Sequence, residues 1–342
     1  MGRIINPRME VRFLGFEDFT LTKSTPTTNK YLYMDFDIRK DFEDEPNEAE
    51  ITIYNLAEGN RRRISDFAGQ SAPVEIYLTP SGVDELVRAY KGEVDWCGHE
   101  STRPGFETTV HFTSQKEQHR SIQIDQKTFP KGTPATDVIT FLINQIGMPS
   151  ETPTLPSTPL LKAESFSGPA FVLLRRYVQY MGLHCFITDG VLKIASVFEP
   201  QNPTVYPIEK RLLLEEPEET TRISAQDVEL MMNDEFSGMG KQARRNRKSK
   251  RKKKQSKLVG NSDYIEYEAV DKTIKGLSVP VLLQPDRQPD EVIHLPEYPR
   301  LKDRYFRIRE HHMHGNNYGG AWTSDLDCDE YEGAGDDPEL GL

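Results

Sequence analysis

The sequence predicts an α+β fold in which two strand-rich regions flank one that contains helices. Three observations carry this. Residues 1–118 and 206–331 repeatedly alternate apolar and polar side chains at period two. Between them, over 119–205, the apolar spacing lengthens to that of helices. Twenty-three prolines and twenty-three glycines punctuate the chain, as the many turns of a β-rich fold require. At 342 residues the chain is long enough for two or three domains.

In the first region, "MEVRFLGF", "YLYMDFDI", "AEITIYNL", "PVEIYLTP", "LVRAYKGEVDWCG" and "FETTVHFTS" read as strands. Ile51 and Ile53 face one way, with Thr52, Tyr54 and Leu56 facing the other. "AEGNRRRISDFAGQ" interrupts them as a short charged helix that turns Ile64 and Phe67 inward. Strands with one short helix suggest a barrel or a sandwich.

The middle region opens with "KGTPATDVITFLINQIGMP". Thr133 is placed to cap a helix whose first position is Pro134. Val138, Ile139, Leu142, Ile143 and Ile146 form its apolar stripe, and Gly147 ends it. After the Pro-rich "PSETPTLPSTP" comes a second helix over about 169–181. "LHCFIT" and "VLKIAS" follow around Asp189-Gly190, a strong hairpin signal.

Residues 196–225 are rich in Pro and Glu. Strand patterns then resume in "DYIEYEAV", "GLSVPVLLQP", "DEVIHLP" and "YFRIREHHMHG", with "GGAWTSDLDCDEY" after them. The final residues, 332–342, read as an acidic flexible tail.

The chain carries a formal net charge of −11, yet residues 241–257 hold eleven cations and no acid. They are Lys241, Arg244, Arg245, Arg247, Lys248, Lys250, Arg251, Lys252, Lys253, Lys254 and Lys257. Without that run the charge would be −22 from the same composition. The three cysteines are widely spaced and imply neither a disulfide framework nor a CxxC site, so a reducing cytosol is the expected folding compartment. No apolar run approaches the roughly 20 residues of a membrane span, and the opening stretch lacks the apolar core of a secretory signal. Asn6 stands where a myristoylation signal needs Ser or Thr.

Five motifs in order resemble the baseplate hub family of bacteriophages. "NEAEITIYNLAEGNRRRI" resembles its first-barrel signature, and "KGTPATDVITFLINQIGM" and "FSGPAFVLLRRYVQYMGLHCFITDGVLKI" its next landmarks. "IKGLSVPVLLQPDRQPDEVIHL" and "YFRIREHHMHGNNYGGAWTSDLDCDEY" are similar to its last strands. Together they cover about residues 9–331. The resemblance implies two tail-tube-like antiparallel β-barrels, at 1–118 and 206–331, joined by small α/β domains over 119–205. It implies a homotrimer whose six barrels form a pseudo-sixfold ring between a hexameric tail tube and a threefold spike. The family is also related to the N-terminal part of type VI secretion spike proteins.

Implied partners are the tail tube protein, the central spike protein, the tape-measure protein C-terminus and peripheral baseplate proteins, with DNA passing through the channel. The implied location is the virion tail baseplate, assembled in the bacterial host cytoplasm, with no membrane insertion. A hub of a non-contractile tail or of a tail-like secretion device is the alternative. The family supplies no catalytic residues and no cofactor. The basic run and the acidic tail lie outside its shared pattern.

A tail-associated cell-wall hydrolase is a second alternative. Acidic groups such as Glu43, Asp44 and Glu45, Glu215 with Glu216, and Glu218 with Glu219 are numerous, but they sit in loop-like segments where solvated charge is the default. The chain has no GxSxG, HExxH, P-loop or GxGxxG motif. In "HHMH", His312 and His314 share a strand face, and two such imidazoles bind a metal only with further ligands; Asp325, Asp327 and Asp329 alternate nearby. The favoured reading is structural, with no metal: a strand end, with His314 capping the turn before Gly315. Trp96 and Trp322 are either interface anchors or core fillers.

The basic run has four readings: a phosphate binder, a nuclear signal, a solvated loop, or a segment docked on an acidic neighbour. It lacks the partner fold of a sequence-specific DNA reader, and glycines on both sides favour an excursion that docks on protein. Deleting 241–257 is therefore expected to leave the assembly folded and to weaken its attachment to tube, spike or peripheral protein in a salt-sensitive way. Pull-down of those partners across a salt series checks this. Intact attachment with blocked genome passage would point to DNA instead.

Overall fold

A computed structural model describes residues 8–14, 19–22, 32–42, 46–68, 72–80, 84–102, 105–114, 122–153, 159–160, 162–179, 181, 183–196, 204–224, 272–317 and 322–331. The basic run, the acidic tail and "DYIEYEAV" lie outside these residues.

The first region supplies β1 (Met9–Phe13), β2 (Phe19–Thr22), β3 (Tyr33–Asp41), β4 (Glu48–Tyr54), β5 (Pro73–Leu78), β6 (Val87–Thr102) and β7 (Gly105–Thr113), with helix α1 (Glu58–Ala68) between β4 and β5. The alternation predicted the strand faces. In β4, Ala49, Ile51 and Ile53 are buried, and Ile64 and Phe67 of α1 reach the same core. Leu56 departs from the expected face and is buried, because Asn55 takes a left-handed backbone (φ 54°) that ends the alternation.

The middle region holds β8 (Gln123–Phe129), α2 (Ala135–Ile146), β9 (Ser150–Glu151), β10 (Glu164–Pro169), α3 (Ala170–Gln179), β11 (Leu183–Thr188) and β12 (Val191–Ser196). Pro134 is the residue before α2, and Thr133 does not cap it. The Thr133 hydroxyl instead donates back to the Pro130 carbonyl at 2.8 Å, which closes the preceding turn. Gly147 ends α2 in the left-handed conformation, its N–H on the Ile143 carbonyl. Asp189 (φ 49°) and Gly190 (φ 84°) make the two-residue hairpin turn between β11 and β12. That hairpin is buried on both sides. Cys185, Ile187, Leu192 and Ile194 pack under α2 and α3, while Phe186 and Ala195 meet Phe42, just past β3.

The last region adds β13 (Val205–Pro207), β14 (Glu218–Ser224), β15 (Lys272–Leu282), β16 (Val292–His294), β17 (Tyr305–Asn316) and β18 (Thr323–Tyr331). Two separate barrels are not what the pairing gives. Strands of both outer regions are hydrogen-bonded into one sheet of 13 strands, in the order β14-β15-β18-β17-β3-β4-β7-β6-β5-β1-β2 with β13 and β16 beside β17, and no pair closes it into a barrel among the described residues. The seam is β3 against β17, antiparallel from Glu310↔Asp41 to Asn316↔Asp35. β17 pairs with β16 through residues 305–307, and a bulge follows before it takes up β3. Asn317 locks the far end of the seam. Its side chain accepts from the Met34 N–H at 3.0 Å and donates to the Leu32 carbonyl at 2.7 Å.

A buried polar junction ties the three regions together. Lys40 of β3 is fully buried, its ammonium 3.0 Å from Gln288 Oε1 and 3.5 Å from Asp189 Oδ1. Thr188 also donates to Gln288, and Asn47 donates to the Ile187 carbonyl. Burial pushes the Lys40 pKa down, against the opposing pull of Asp189. Beside it, Arg307 pairs with Asp290 (Nε–Oδ1 2.7 Å), donates to the Ser196 carbonyl at 2.9 Å and lies 4.6 Å from the centre of the Phe42 ring.

Removing one partner of a buried ion pair leaves the other charge without compensation, at a cost of about 3–5 kcal/mol. Asp189→Asn, which keeps a residue tolerant of the turn, is expected to lower unfolding free energy on that scale. Lys40→Met, which removes the charge and keeps the stem, is expected to cost less. Urea denaturation of both variants checks the order.

Candidate interaction face and histidine cluster

Because paired residues in a sheet share a face, the register across the seam lays out one continuous outward row. It runs Trp96↔His111 between β6 and β7, His111↔Glu50 to β4, Glu50↔Asp37 to β3, Asp37↔His314 to β17, and His314↔Thr323 to β18. The row is chemically engaged along its length. His111 Nε2 is 2.8 Å from Glu50 Oε2, and the Trp96 and His111 ring centres are 5.2 Å apart. The Trp96 indole lies over Gly98, where a Cβ would sit 2.4 Å from it, so a side chain there would push the indole aside. Trp96 is 51% exposed.

On β17, His312 Nε2 donates to Asp37 Oδ2 at 2.9 Å. That bond raises the His312 pKa and lowers that of Asp37. His314 Nε2 meets Thr323 Oγ1 at 2.9 Å. His314 therefore does not cap a turn: β17 continues through Gly315 and Asn316, and the ring bonds across to β18. The two imidazole centres are 5.0 Å apart, and Asp325, opposite His312, completes a group of three whose ligand atoms all lie within 4.8 Å of one another. Asp327 instead faces Arg309 Nη2 at 3.3 Å.

The opposite face of the same strands is core. His311 is fully buried, with Nδ1 3.1 Å from the Arg287 carbonyl and Nε2 3.0 Å from Ser324 Oγ. A carbonyl only accepts, so Nδ1 carries the proton and Nε2 accepts from the serine hydroxyl. Burial pushes the His311 pKa down to about 3 and keeps the ring neutral. Trp322 is fully buried, edge-on to Phe36 at 5.2 Å, with its indole N–H on the Asn316 carbonyl. It fills the core; Trp96 is the tryptophan that stands out.

The eleven cations of 241–257 fall within 225–271, which lies outside the described residues. Ser224 at the end of β14 pairs with Lys272 at the start of β15, so 225–271 connects two neighbouring strands of an edge hairpin. Of the acidic pairs, Glu43 to Glu45 fall outside the described residues, and Glu215, Glu216, Glu218 and Glu219 are exposed. Adjacent residues in a strand point to opposite faces, which separates Glu218 from Glu219. Besides the buried His311–Ser324 contact, one further Ser–His contact occurs among the described residues, Ser65 Oγ to His99 Nε2 at 2.9 Å. Ser65 donates to the Arg61 carbonyl, and His99 Nδ1 faces Thr108 at 3.2 Å rather than a carboxylate. The contact clamps α1 to β6 and lacks the orienting acid of a nucleophilic triad.

Period-two spacing put His312 and His314 on one face and offered Asp325, Asp327 and Asp329 as nearby carboxylates, without singling out Asp325. It missed Asp37, Glu50, His111 and Thr323 as neighbours of that face, since nothing local marks a residue that becomes adjacent only through register.

No family model matches the sequence, and no curated protein matches it. Solved structures share its fold. A tail protein from Neisseria meningitidis superposes with a TM-score of 0.56 at 14% identity, over 95% of this chain and 97% of that one. The 43 kDa tail protein of prophage MuSo2 from Shewanella oneidensis gives 0.56 at 10%, over 95% and 99%. The E. coli c3393 protein, a type VI secretion component described as similar to the phage T4 tail proteins gp27 and gp5, gives 0.50 at 10%, over 91% and 77%. The mainly antiparallel α+β fold of this chain is thus that of phage tail proteins and of a type VI secretion component, as the sequence motifs led us to expect.

Truncating Trp322 to Ala is expected to cost about 3–5 kcal/mol of unfolding free energy, the usual range for an emptied aromatic core site. Trp96→Ala is expected to stay within about 0.5 kcal/mol in the isolated chain. Denaturation midpoints of the two variants at equal protein concentration check this.

Proposed function

We propose that the chain is a structural, non-enzymatic subunit of a phage-type tail: the central hub of its baseplate, a homotrimer that adapts a hexameric tail tube to a threefold spike. The observation that carries this reading is fold likeness over nearly the whole of both chains to two tail proteins. Two features of the sheet support it. Its end strands, β14 and β2, each pair on one side only among the described residues, and such edges call for a neighbour. Each outer region also contributes a long strand with a bulge against its hairpin partner, β6 with β7 and β17 with β18. In this reading residues 1–118 and 206–331 act as two tube-like units, so three chains present six. The middle region, 119–205, braces them, and the partners are the tube, spike, tape-measure and peripheral baseplate proteins. The virion tail is the place of action.

The basic run would then leave the sheet at the β14–β15 hairpin and dock on an acidic protein surface. A second reading is a hub of a tail-like secretion device, which the likeness to the E. coli type VI secretion component favours; a hub of a non-contractile tail is the other alternative.

Mass measurement by light scattering at micromolar concentration and moderate salt is expected to give three chains, with roughly 2,000 Å² or more buried per interface. Electron micrographs are expected to show a ring with an open channel. A sharp monomer peak, or release of soluble fragments from peptidoglycan by the purified protein, would overturn the reading.

A further inference from the structure

His312 and His314 lie on one face of β17, and β18 sets Asp325 directly opposite His312. Hydrogen bonds fix how the two rings present themselves. The His312 Nε2–H is given to Asp37 and leaves Nδ1 without a hydrogen-bond partner among the described residues. The Thr323 hydroxyl donates to the His314 carbonyl at 3.4 Å, so its oxygen is free to accept the His314 Nε2–H. His314 Nδ1 then carries a lone pair. That atom is shut off from solvent and has no hydrogen-bond partner, while Asp325 Oδ2 stands 3.7 Å away. This separation is too long for a hydrogen bond. A bare nitrogen lone pair facing a carboxylate is repulsive unless a proton or a metal cation lies between them.

We propose that His312, His314 and Asp325 bind a borderline divalent cation of the Zn²⁺ type, with Asp37 and Thr323 orienting the two imidazoles. Two nitrogens and one carboxylate oxygen suit zinc, nickel or copper better than magnesium or calcium, which prefer oxygen alone. Metal–ligand bonds of about 2.0–2.2 Å place ligand atoms about 3.4 Å apart in a tetrahedral site. The His314–Asp325 pair is close to that already, and the whole group contracts into it from within 4.8 Å by side-chain rotation. Each ring gives its second N–H to an oxygen, the outer-shell arrangement that holds metal-bound histidines in one tautomer. Three protein ligands leave a position for water or for a group from a partner. Ligands on two strands also mean that the cation braces β17 to β18. This inference stands apart from the proposed tail function and survives or fails without it.

The test uses the full-length chain, dialysed against chelator and titrated with Zn²⁺ by calorimetry, with Co²⁺ absorption as a second readout. Wild type is expected to bind Zn²⁺ in the micromolar range and to give a tetrahedral Co²⁺ spectrum. His314→Gln and Asp325→Asn are expected to weaken binding about 100-fold, and Thr323→Val about 10-fold, the range for losing an orienting partner. Asp327→Asn, whose carboxylate faces Arg309, is expected to bind as wild type does. Metal-free denaturation midpoints of every variant separate lost binding from lost folding. Absence of micromolar Zn²⁺ binding by wild type, or unchanged binding by folded His314→Gln and Asp325→Asn, would overturn the proposal.

Discussion

The ammonium of Lys40 is the point on which the three parts of this chain converge. A charge taken fully out of water is expensive, and it persists only where its donors are met. Here the partners come from far along the chain: Asp189 from the middle hairpin and Gln288 from the last region. Asn47 and Thr188 extend the same network. Apolar contacts would tolerate sliding of one region over another. A buried cation that requires oxygens at about 3 Å does not, so the junction fixes where the middle region sits on the sheet. The Arg307–Asp290 pair, with Phe42, Phe186 and Ala195 beside it, supplies a second anchor at the same place.

With the regions held there, the β3–β17 seam becomes a structural element in its own right. It joins strands more than 270 residues apart in sequence, as the His312–Asp37 contact shows, and lets the second region lend Leu283, Met313 and Trp322 to the first region's core. Long-range pairing of this kind brings a loop-closure cost that local hairpins avoid. The return is a single surface. Its inner side is buried and mostly apolar, with Lys40 and His311 among its few polar groups, and its outer side carries the row from Trp96 to Thr323. One strand thus holds His311 and His312 in opposite chemical environments, because the pleat turns successive side chains to opposite faces.

The same geometry bears on assembly. Among the described residues the sheet ends in β14 and β2, with the short β13 paired only to β16, and the β14 end carries Glu218 and Glu219, charges that discourage indiscriminate edge pairing. An edge that is guarded by charge and leads directly into the connection holding the basic run is suited to selective contact.

Much of the local structure was determined by the sequence itself. Period-two alternation in "EAEITIY", the helical stripe from Val138 to Ile146, Gly147 as a stop and Asp189-Gly190 as a hairpin turn all follow from backbone sterics and side-chain periodicity, which operate over a few residues. The pairing of His312 with His314 on one face is legible for the same reason. Tertiary structure decided the rest. That Leu56 turns inward depends on a left-handed Asn55. That Thr133 bonds to Pro130 instead of capping α2 depends on the local turn, and that Trp322 is core while Trp96 is exposed depends on which face the seam covers. The union of two strand-rich regions in one sheet, where two barrels were expected, and the arrival of Asp37 and Thr323 beside the histidines are matters of register between distant strands. Register is chosen by the summed burial of whole faces and by the partners a buried charge demands, and no short stretch of sequence contains that sum.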